Sequence, residues 1–368
     1  MKSTLENPDL VKKFLRKIKS LTPGQIKVME VCGTHTTAIS RYSLRQTLKG
    51  HVDFVSGPGC PVCVTDQTHI DQMIAYSKLP NFIIATFGDM LKVPGSHSSL
   101  QLEKAKGADV RVVFSPMEAV QIAEDNPGKK VVFIGIGFET TVPIVASSIL
   151  HSFERGLQNY YVLSLHKTIP TALETLFSSD HSIDGLLLPG HVCAITGSDA
   201  FGFIPEKLFL PAVVAGFLPV EILQALMVLL EMHQKNNPHL ANSYKTVVKP
   251  TGNPTAKNTA TRVFKPSTTS WRGLGTIDNS GLEIKPEFAA LDAKVQFPVS
   301  PPASLMDTKC RCGEVIKGQI KPTQCPLFKN SCTPDSPAGP CMVSGEGACA
   351  AFYNYDVDFY TQEDKDDV

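Results

Sequence analysis

The chain has 368 residues, 42% of them apolar and 19% charged, which is enough apolar material for two or three ordinary cores and rules out wholesale disorder. Lys plus Arg number 35 and Asp plus Glu 35, so there is no electrostatic footprint for nucleic acid or an anionic membrane. The longest apolar runs, 70–84 and 211–232, are broken by polar side chains well short of the ~20 clean positions a spanning helix needs.

Leu10, Phe14, Leu15 and Ile18 recur at helical spacing among Glu6, Asp9 and several lysines. This predicts an amphipathic helix and not the apolar centre of a secretory signal, so the expectation is a soluble cytoplasmic protein. Thr22-Pro23-Gly24 ends that helix. Short apolar runs at 26–31, 52–55, 81–87, 109–114 and 130–136 then read as buried strands, with helical stretches such as 68–77 and 117–124 between them. A second round has strands at 160–165, 185–188 and 212–215 and a strong helix over 220–233. Alternating strands and helices predict α/β architecture with parallel sheets. The expected layout is two Rossmann-like domains, 1–147 and 148–248. A Thr-, Asn- and Pro-rich linker or irregular arm follows at 249–284, then an irregular C-terminal domain at 285–368 that a metal centre would hold together. The end, 362–368, is acidic and reads as frayed.

Five strand-to-helix turns carry unusual residues: 32–37, 57–63, 88–95, 137–141 and 189–197. In an open α/β sheet such turns gather at the C-terminal edge, where ligands bind. Cys60-Pro61-Val62-Cys63 is a Cys-x-x-Cys that reads as opening a helix, where the free N–H groups favour a thiolate and redox exchange. No second Cys-x-x-Cys exists to complete a four-cysteine zinc site. Cys32 precedes a predicted helix and is followed one turn later by His35; a soft thiolate suits iron, copper(I) or zinc, and His35 can contact the bound ion or act as acid or base toward the thiol. Cys193, beside His191, reads as a small buried residue.

The remaining cysteines are clustered: Cys310, Cys312, Cys325, Cys332, Cys341 and Cys349 account for six of the ten. In a reducing compartment such clusters are metal ligands or redox thiols. Four thiolates are the usual holders of a [4Fe–4S] cluster, and the spacing fits neither a zinc ribbon nor the compact ferredoxin run, so spacing favours iron–sulfur without choosing which four.

Taken in order, these motifs resemble the HypD family of [NiFe]-hydrogenase maturation proteins. The resemblance rests on Cys32-Gly33-Thr34-His35-Thr36, Gly57-Pro58-Gly59-Cys60-Pro61-Val62-Cys63, Gly137-Phe138-Glu139-Thr140-Thr141 and Pro189-Gly190-His191-Val192. It continues through Trp271-Arg272-Gly273-Leu274-Gly275, Cys312-Gly313-Glu314-Val315 and the stretch from Cys341 to Ala350. It implies a scaffold that, with the small partner HypC, holds one iron while cyanide from HypE and carbon monoxide are added. The Fe(CN)2CO unit then passes to the hydrogenase large subunit. By the resemblance, Cys32 binds that iron with a cysteine of HypC, Cys60 and Cys63 are a redox pair, and His35, Asp89 and Glu346 serve the assembly step. The family's Cys-x14-Cys-x6-Cys-x16-Cys spacing selects Cys310, Cys325, Cys332 and Cys349 as cluster ligands and leaves Cys312 and Cys341 as a second thiol pair. The expected flow of electrons is from the cluster through Cys312/Cys341 and Cys60/Cys63 to the iron. The rival expectation is a freestanding [4Fe–4S] thiol–disulfide oxidoreductase, which accounts for cluster and dithiol but not for Cys32 with His35.

Overall fold

A computed structural model describes residues 8–22, 24–178, 182–300 and 309–356. Nine of its strands build two parallel sheets: β1 (Ile26–Glu30), β2 (Val52–Ser56), β3 (Phe82–Thr86), β4 (Asp109–Val112), β5 (Lys130–Gly135), β6 (Tyr160–Ser164), β7 (Gly185–Pro189), β8 (Ala212–Ala215) and β9 (Leu240–Asn242). The first sheet has the order β2-β1-β7-β8-β9 and the second β4-β3-β5-β6. Every pair within them is parallel. Strands such as β3, β7 and even the edge strand β6 are buried along their whole length. They read as continuous apolar runs because helices cover both faces.

The parallel α/β class is as expected, but the sheets do not divide at 147/148. β1 and β2 share a sheet with β7, β8 and β9, while β6 joins β3, β4 and β5. The chain leaves the first sheet after β2, completes the second, and returns to place β7 against β1, with Val28 opposite Gly185. A reading that makes consecutive strands neighbours misses this return. Gly185 suits the central position because a side chain there would meet Leu229 of the covering helix Pro219–Gln234 at 2.8 Å. That helix and Pro8–Leu21 bury Ile18, Leu226 and Leu229 over the first sheet.

The stretch 249–284 is not an irregular arm. Asn253 Oδ1 accepts the Ala256 N–H at 3.1 Å and caps the helix Pro254–Val263. An antiparallel hairpin follows, β10 (Phe264–Trp271) and β11 (Gly275–Ile284), with Phe264 opposite Ile284 and Trp271 opposite Gly275. Its threonines are β-formers on a half-exposed ribbon, and Gly273 and Gly275 supply the positive φ of the turn (78° and 80°). Trp271 anchors the hairpin. It is buried, donates Nε1–H to Ser280 Oγ at 2.8 Å, stacks on Phe138 at 6.1 Å and lies under Lys167 Nζ at 5.3 Å.

Within 309–356 only short helices form, including Cys312–Ile316, Pro340–Val343 and Ala348–Ala351. This agrees with an irregular C-terminal segment; the acidic end 362–368 lies outside the described residues. Among the described residues no helix is long and apolar enough to cross a membrane.

Truncating Trp271 to Ala removes the hairpin's anchor and the wall it shares with Phe138. Urea unfolding of Trp271→Ala is expected to lose about 3–5 kcal/mol relative to the parent chain. A loss below about 1 kcal/mol would show that the hairpin is held elsewhere.

Candidate functional site

The C-terminal ends of both sheets face one cleft of about 450 Å³. Four of the five predicted turns line it, through Cys32 and Thr34, Gly59 and Pro61, Gly137, Phe138, Thr140 and Thr141, and Pro189 with His191. Glu346 of the C-terminal segment closes one side. The fifth turn reaches it indirectly: Asp89, in the helical turn Gly88–Met90, accepts the Ser344 Oγ–H at 2.9 Å, and Ser344 Oγ in turn accepts the Glu346 N–H at 3.2 Å.

Cys32 lies two residues beyond the end of β1 and is the N-cap of the helix Gly33–Arg41. Burial, then the charges of Glu346 and Glu30, push its thiol up to about 12 against the pull of the His35 and Thr34 N–H groups. Glu30 is fully buried beneath it. Glu30 Oε1 accepts the Thr36 hydroxyl at 2.6 Å and Oε2 the Cys32 N–H at 3.3 Å. Burial raises its carboxyl to about 7 although Arg45 stands 4.0 Å away. Arg45 also pairs with Asp356 at 3.6 Å and lies over Phe352 at 4.8 Å, so the C-terminal segment is tied directly beneath the Cys32 turn. Glu346 Oε1 accepts the Thr34 hydroxyl at 3.0 Å, and burial, with the Asp89 charge adding, raises its carboxyl.

His35 does not line this cleft. Its ring is fully buried behind the Cys32 turn, with Nε2 2.8 Å from the Gly216 carbonyl oxygen and the plane stacked on Phe217 at 4.7 Å. Phe217 stacks in turn on His191 at 4.0 Å, which does line the cleft. Burial lowers His35 to about 4, so it is a neutral ring supporting the wall. Cys193 is wholly buried in the core.

Cys60 and Cys63 are joined as a disulfide and are both buried. No helix starts there. The segment after Cys60 is a succession of turns, and the next helix, Gln67–Ser77, begins behind the Asp66 cap, so the expected helix-terminus effect on these thiols is absent. The loop instead touches both neighbours that matter. Gly33 N–H donates to Gly59 O at 3.0 Å, and Cys63 Sγ lies 4.0 Å from Pro340 O, one residue from Cys341.

All six C-terminal cysteines line one small pocket walled by Val315, Leu327, Phe328 and Met342. Cys310, Cys312, Cys341 and Cys349 form a row of thiol–thiol hydrogen bonds. Cys332 Sγ accepts the Ala338 N–H at 3.3 Å. The hydrogen bond to Cys312, then burial, hold the Cys310 thiol far up, and Cys341 is also held well above the ordinary range. Four ligands and a separate pair are not set apart, since Cys312 and Cys341 sit between Cys310 and Cys349 in that row. Among the described residues no three His, Cys, Asp or Glu side chains stand in a metal-holding arrangement.

Comparison with known proteins adds what geometry alone does not. The HypD profile, described as the "Hydrogenase formation hypA family", matches residues 9–356. The chain is 44% identical over 332 residues to the hydrogenase maturation factor HypD of Escherichia coli K12, covering 90% of this chain and 89% of that one. It is 39% identical over 367 residues to the HypD of Rhodobacter capsulatus, covering 96% and 97%, and 40% identical over 339 residues to that of Azotobacter vinelandii, covering 90% and 89%. The chain belongs to the HypD family.

In this HypD-family chain the Glu30–Arg45–Asp356 network went unread in the sequence. One signal was available: Glu30 is an acid at the end of an otherwise apolar strand, directly before the Cys32 turn. Arg45 and Asp356 carry no local pattern. Glu139, quoted within a motif but given no role, is raised by burial to about 7, with Oε1 accepting the Ile169 N–H at 3.0 Å and Oε2 without a partner among the described residues.

A carboxyl raised from 4.5 in the unfolded chain to about 7 in the folded one favours folding below 4.5, where both states hold the proton. That contribution is lost as pH rises toward 7. Relative to Glu30→Gln, the parent chain is therefore expected to lose stability between about pH 4.5 and 7 and then to run parallel. Denaturant midpoints of both proteins across that window check this, and a parent chain that keeps or gains stability relative to Glu30→Gln as pH rises from 4.5 to 7 would overturn the assignment.

Proposed function

We propose that the chain acts in hydrogenase maturation as a scaffold on which the Fe(CN)2CO unit is assembled, with HypC as small partner and HypE as cyanide donor. The observation that carries the reading is the seam between the two cysteine turns: Gly33 N–H on Gly59 O places the Cys32 and Cys60 loops in backbone contact at the mouth of one cleft. The iron is cargo. Cys32 Sγ holds it from the cleft wall and a cysteine of HypC supplies a second sulfur. Cyanide and carbon monoxide favour low-spin iron(II), and soft thiolates suit the rest of its coordination sphere. Glu346 flanks the cleft as a proton-holding group, Asp89 positions it through Ser344, and His35 positions the wall through Phe217 and His191.

Freeing cyanide from a thiocyanate takes two electrons, which the reduced Cys60/Cys63 pair supplies. One thiolate attacks the thiocyanate sulfur, forming a mixed disulfide and releasing cyanide to the iron. The second thiolate displaces the donor thiolate and closes the Cys60–Cys63 disulfide. Reduction of that disulfide falls to Cys341, whose neighbour Pro340 adjoins Cys63 Sγ. Cys341 attacks Cys63, Cys60 leaves as thiolate, and Cys312 resolves the mixed disulfide into Cys312–Cys341. The donor chemistry of the six-thiol pocket fits a [4Fe–4S] cluster, and Cys310, Cys325, Cys332 and Cys349 would hold it. Such a cluster supplies one-electron reducing equivalents.

Anaerobic co-purification with HypC followed by infrared spectroscopy tests the scaffold. Bands of bound cyanide and carbon monoxide are expected from the parent complex and not from Cys32→Ala, while iron–sulfur absorbance persists in both. Bands that survive in Cys32→Ala would refute Cys32 as the iron ligand. Cyanation is expected to be abolished in Cys60→Ala/Cys63→Ala, and unchanged cyanation there would end the dithiol step. The disulfide beside Cys341 also favours a second reading, a freestanding thiol–disulfide oxidoreductase. Turnover of a thioredoxin-like disulfide without HypC would select it.

A cluster couples folding to metal, so the two groups of C-terminal cysteines are expected to behave differently. Replacing Cys325 or Cys332 by Ala should lower bound iron and inorganic sulfide and expose 309–356 to protease. Cys312→Ala/Cys341→Ala should keep both iron and sulfide. Equal loss of iron and sulfide from the two sets would contradict the ligand choice.

A further inference from the structure

Two glycines carry a backbone contact from the six-thiol pocket to the Cys32 turn. Gly347 has an ordinary negative φ of −77°, so its missing side chain answers to space alone: a Cβ there would lie 2.2 Å from Cys341 O and 2.9 Å from Cys341 Cα. Gly33 does the same on the other side of Glu346, where a Cβ would lie 2.4 Å from Glu346 Cβ and 2.8 Å from Glu346 O. Cys341, Gly347, Glu346 and Gly33 are therefore in unbroken contact, and packed backbone passes on a shift that looser side chains would absorb.

The two members of the Cys312/Cys341 pair are held unequally. Cys312 opens a short helix whose next residue, Gly313, is pressed on the hairpin turn; a Cβ on Gly273 would lie 2.4 Å from Gly313 Cα. Arg272 ties that turn down, donating Nε–H to Thr65 O and Nη2–H to Gln67 Oε1, both at 3.0 Å. Cys341 lies on the one-turn helix Pro340–Val343, which runs directly into 344–347. That stretch grips the cleft by three hydrogen bonds: Ser344 Oγ–H on Asp89 Oδ2 at 2.9 Å, Thr34 Oγ1–H on Glu346 Oε1 at 3.0 Å and Thr37 Oγ1–H on Gly345 O at 2.7 Å.

We infer that the thiol state of Cys312 and Cys341 works a latch on the Cys32 cleft: the dithiol keeps Glu346 seated on Thr34, and a Cys312–Cys341 disulfide draws it off. Bridging contracts the pair from hydrogen-bonded to covalent distance. Cys312 is fixed, so Cys341 moves and takes Gly347 with it. Gly33 leaves Glu346 no room toward the Cys32 helix, so the displacement is away from Thr34, and a hydrogen bond stretched well past ~3.2 Å is lost. The oxidant is the Cys60–Cys63 disulfide: exchange breaks that bond, forms Cys312–Cys341 and leaves Cys60 and Cys63 as thiols. One consequence rests on the scaffold function proposed above. The cleft opens as the attacking dithiol becomes reduced, so a cyanide donor is admitted only when it can be cleaved.

Hydrogen exchange of the anaerobically purified full chain tests the latch, with neither iron cargo nor partner present. Dithiothreitol gives the dithiol form and glutathione disulfide the bridged form, which peptide mapping identifies. Peptides spanning 33–41 and 344–351 are expected to exchange about tenfold or more faster in the bridged form. Cys341→Ser, unable to bridge to Cys312, should keep the slow rate with either reagent although Cys60 and Cys63 still respond. Equal exchange in the two forms of the parent chain would overturn the latch. So would failure of the pair to bridge, or a Cys341→Ser chain that speeds up as fully as the parent. None of these outcomes needs cyanide or carbon monoxide on iron, so the scaffold function stands or falls separately, in the infrared spectra.

Discussion

The site depends on two parallel strands continuing their hydrogen bonding beyond their own ends. β1 and β2 are in register from Ile26 with Val52 to Glu30 with Ser56. The pairing then continues as Gly57 N–H on Glu30 O at 2.8 Å and Gly33 N–H on Gly59 O at 3.0 Å. It continues only because the second chain carries glycines. A Cβ on Gly59 would lie 2.3 Å from Cys32 N, and one on Gly57 would lie 2.8 Å from Met29 Sδ. The separation of the Cys32 and Cys60 loops is therefore set by backbone contact, which side-chain repacking cannot relax.

The C-terminal segment closes the cleft through polar contacts, and these contacts specify a position more than they add stability. Buried ion pairs such as Arg45 with Glu30 and Asp356 offset their desolvation poorly, yet leaving one partner alone is expensive. The segment has little regular structure to direct it. Three anchors give it one place to sit: Asp356 under the Cys32 helix, Glu346 on Thr34, and Ser344 on Asp89. The same placement brings Pro340 against the disulfide loop and Cys341 into the thiol row, so the C-terminal thiols and the Cys32 turn are positioned by one docking event.

Strands were legible in the sequence where apolar runs met small-residue turns, and eight of the nine lie within two residues of the reading; β9, three residues long and half-buried, left no signal. Strand order was not legible, because nothing local says that β7 returns to β1. The hairpin at 264–284 was hidden by its polar composition, since threonines on an exposed ribbon look like a loop when read for hydrophobicity. At the site, the gathering of turns was readable from topology rules, whereas the direction of side chains was not. Cys32 faces the cleft while His35, three residues on, faces Gly216 and Phe217, because Cys32 is the extended N-cap (φ −148°, ψ 124°) and only His35 lies on the helix, so the shared face of residues three apart does not apply. The long-range partners Arg45 and Asp356 required the fold itself.

Two opposing effects act on Cys32, and their sizes decide its chemistry. A helix N-terminus stabilises a nearby anion by about 0.3–1 kcal/mol. Raising a thiol from 9.0 to about 12 corresponds to about 4 kcal/mol against the thiolate. Burial among acids therefore wins, and without a cation Cys32 stays protonated, as does Glu30 for part of the physiological range. A protonated thiol is a poor nucleophile and resists oxidation. On the function proposed above, a soft cation entering the cleft would replace the proton, and the carboxyls that disfavoured the thiolate would then attract the metal. The crowding that keeps the sulfur inert when alone is thus, on that proposal, the same crowding that would draw positive charge to it, and it would let a site next to the Cys60–Cys63 disulfide hold its thiol out of disulfide exchange until the ion arrives.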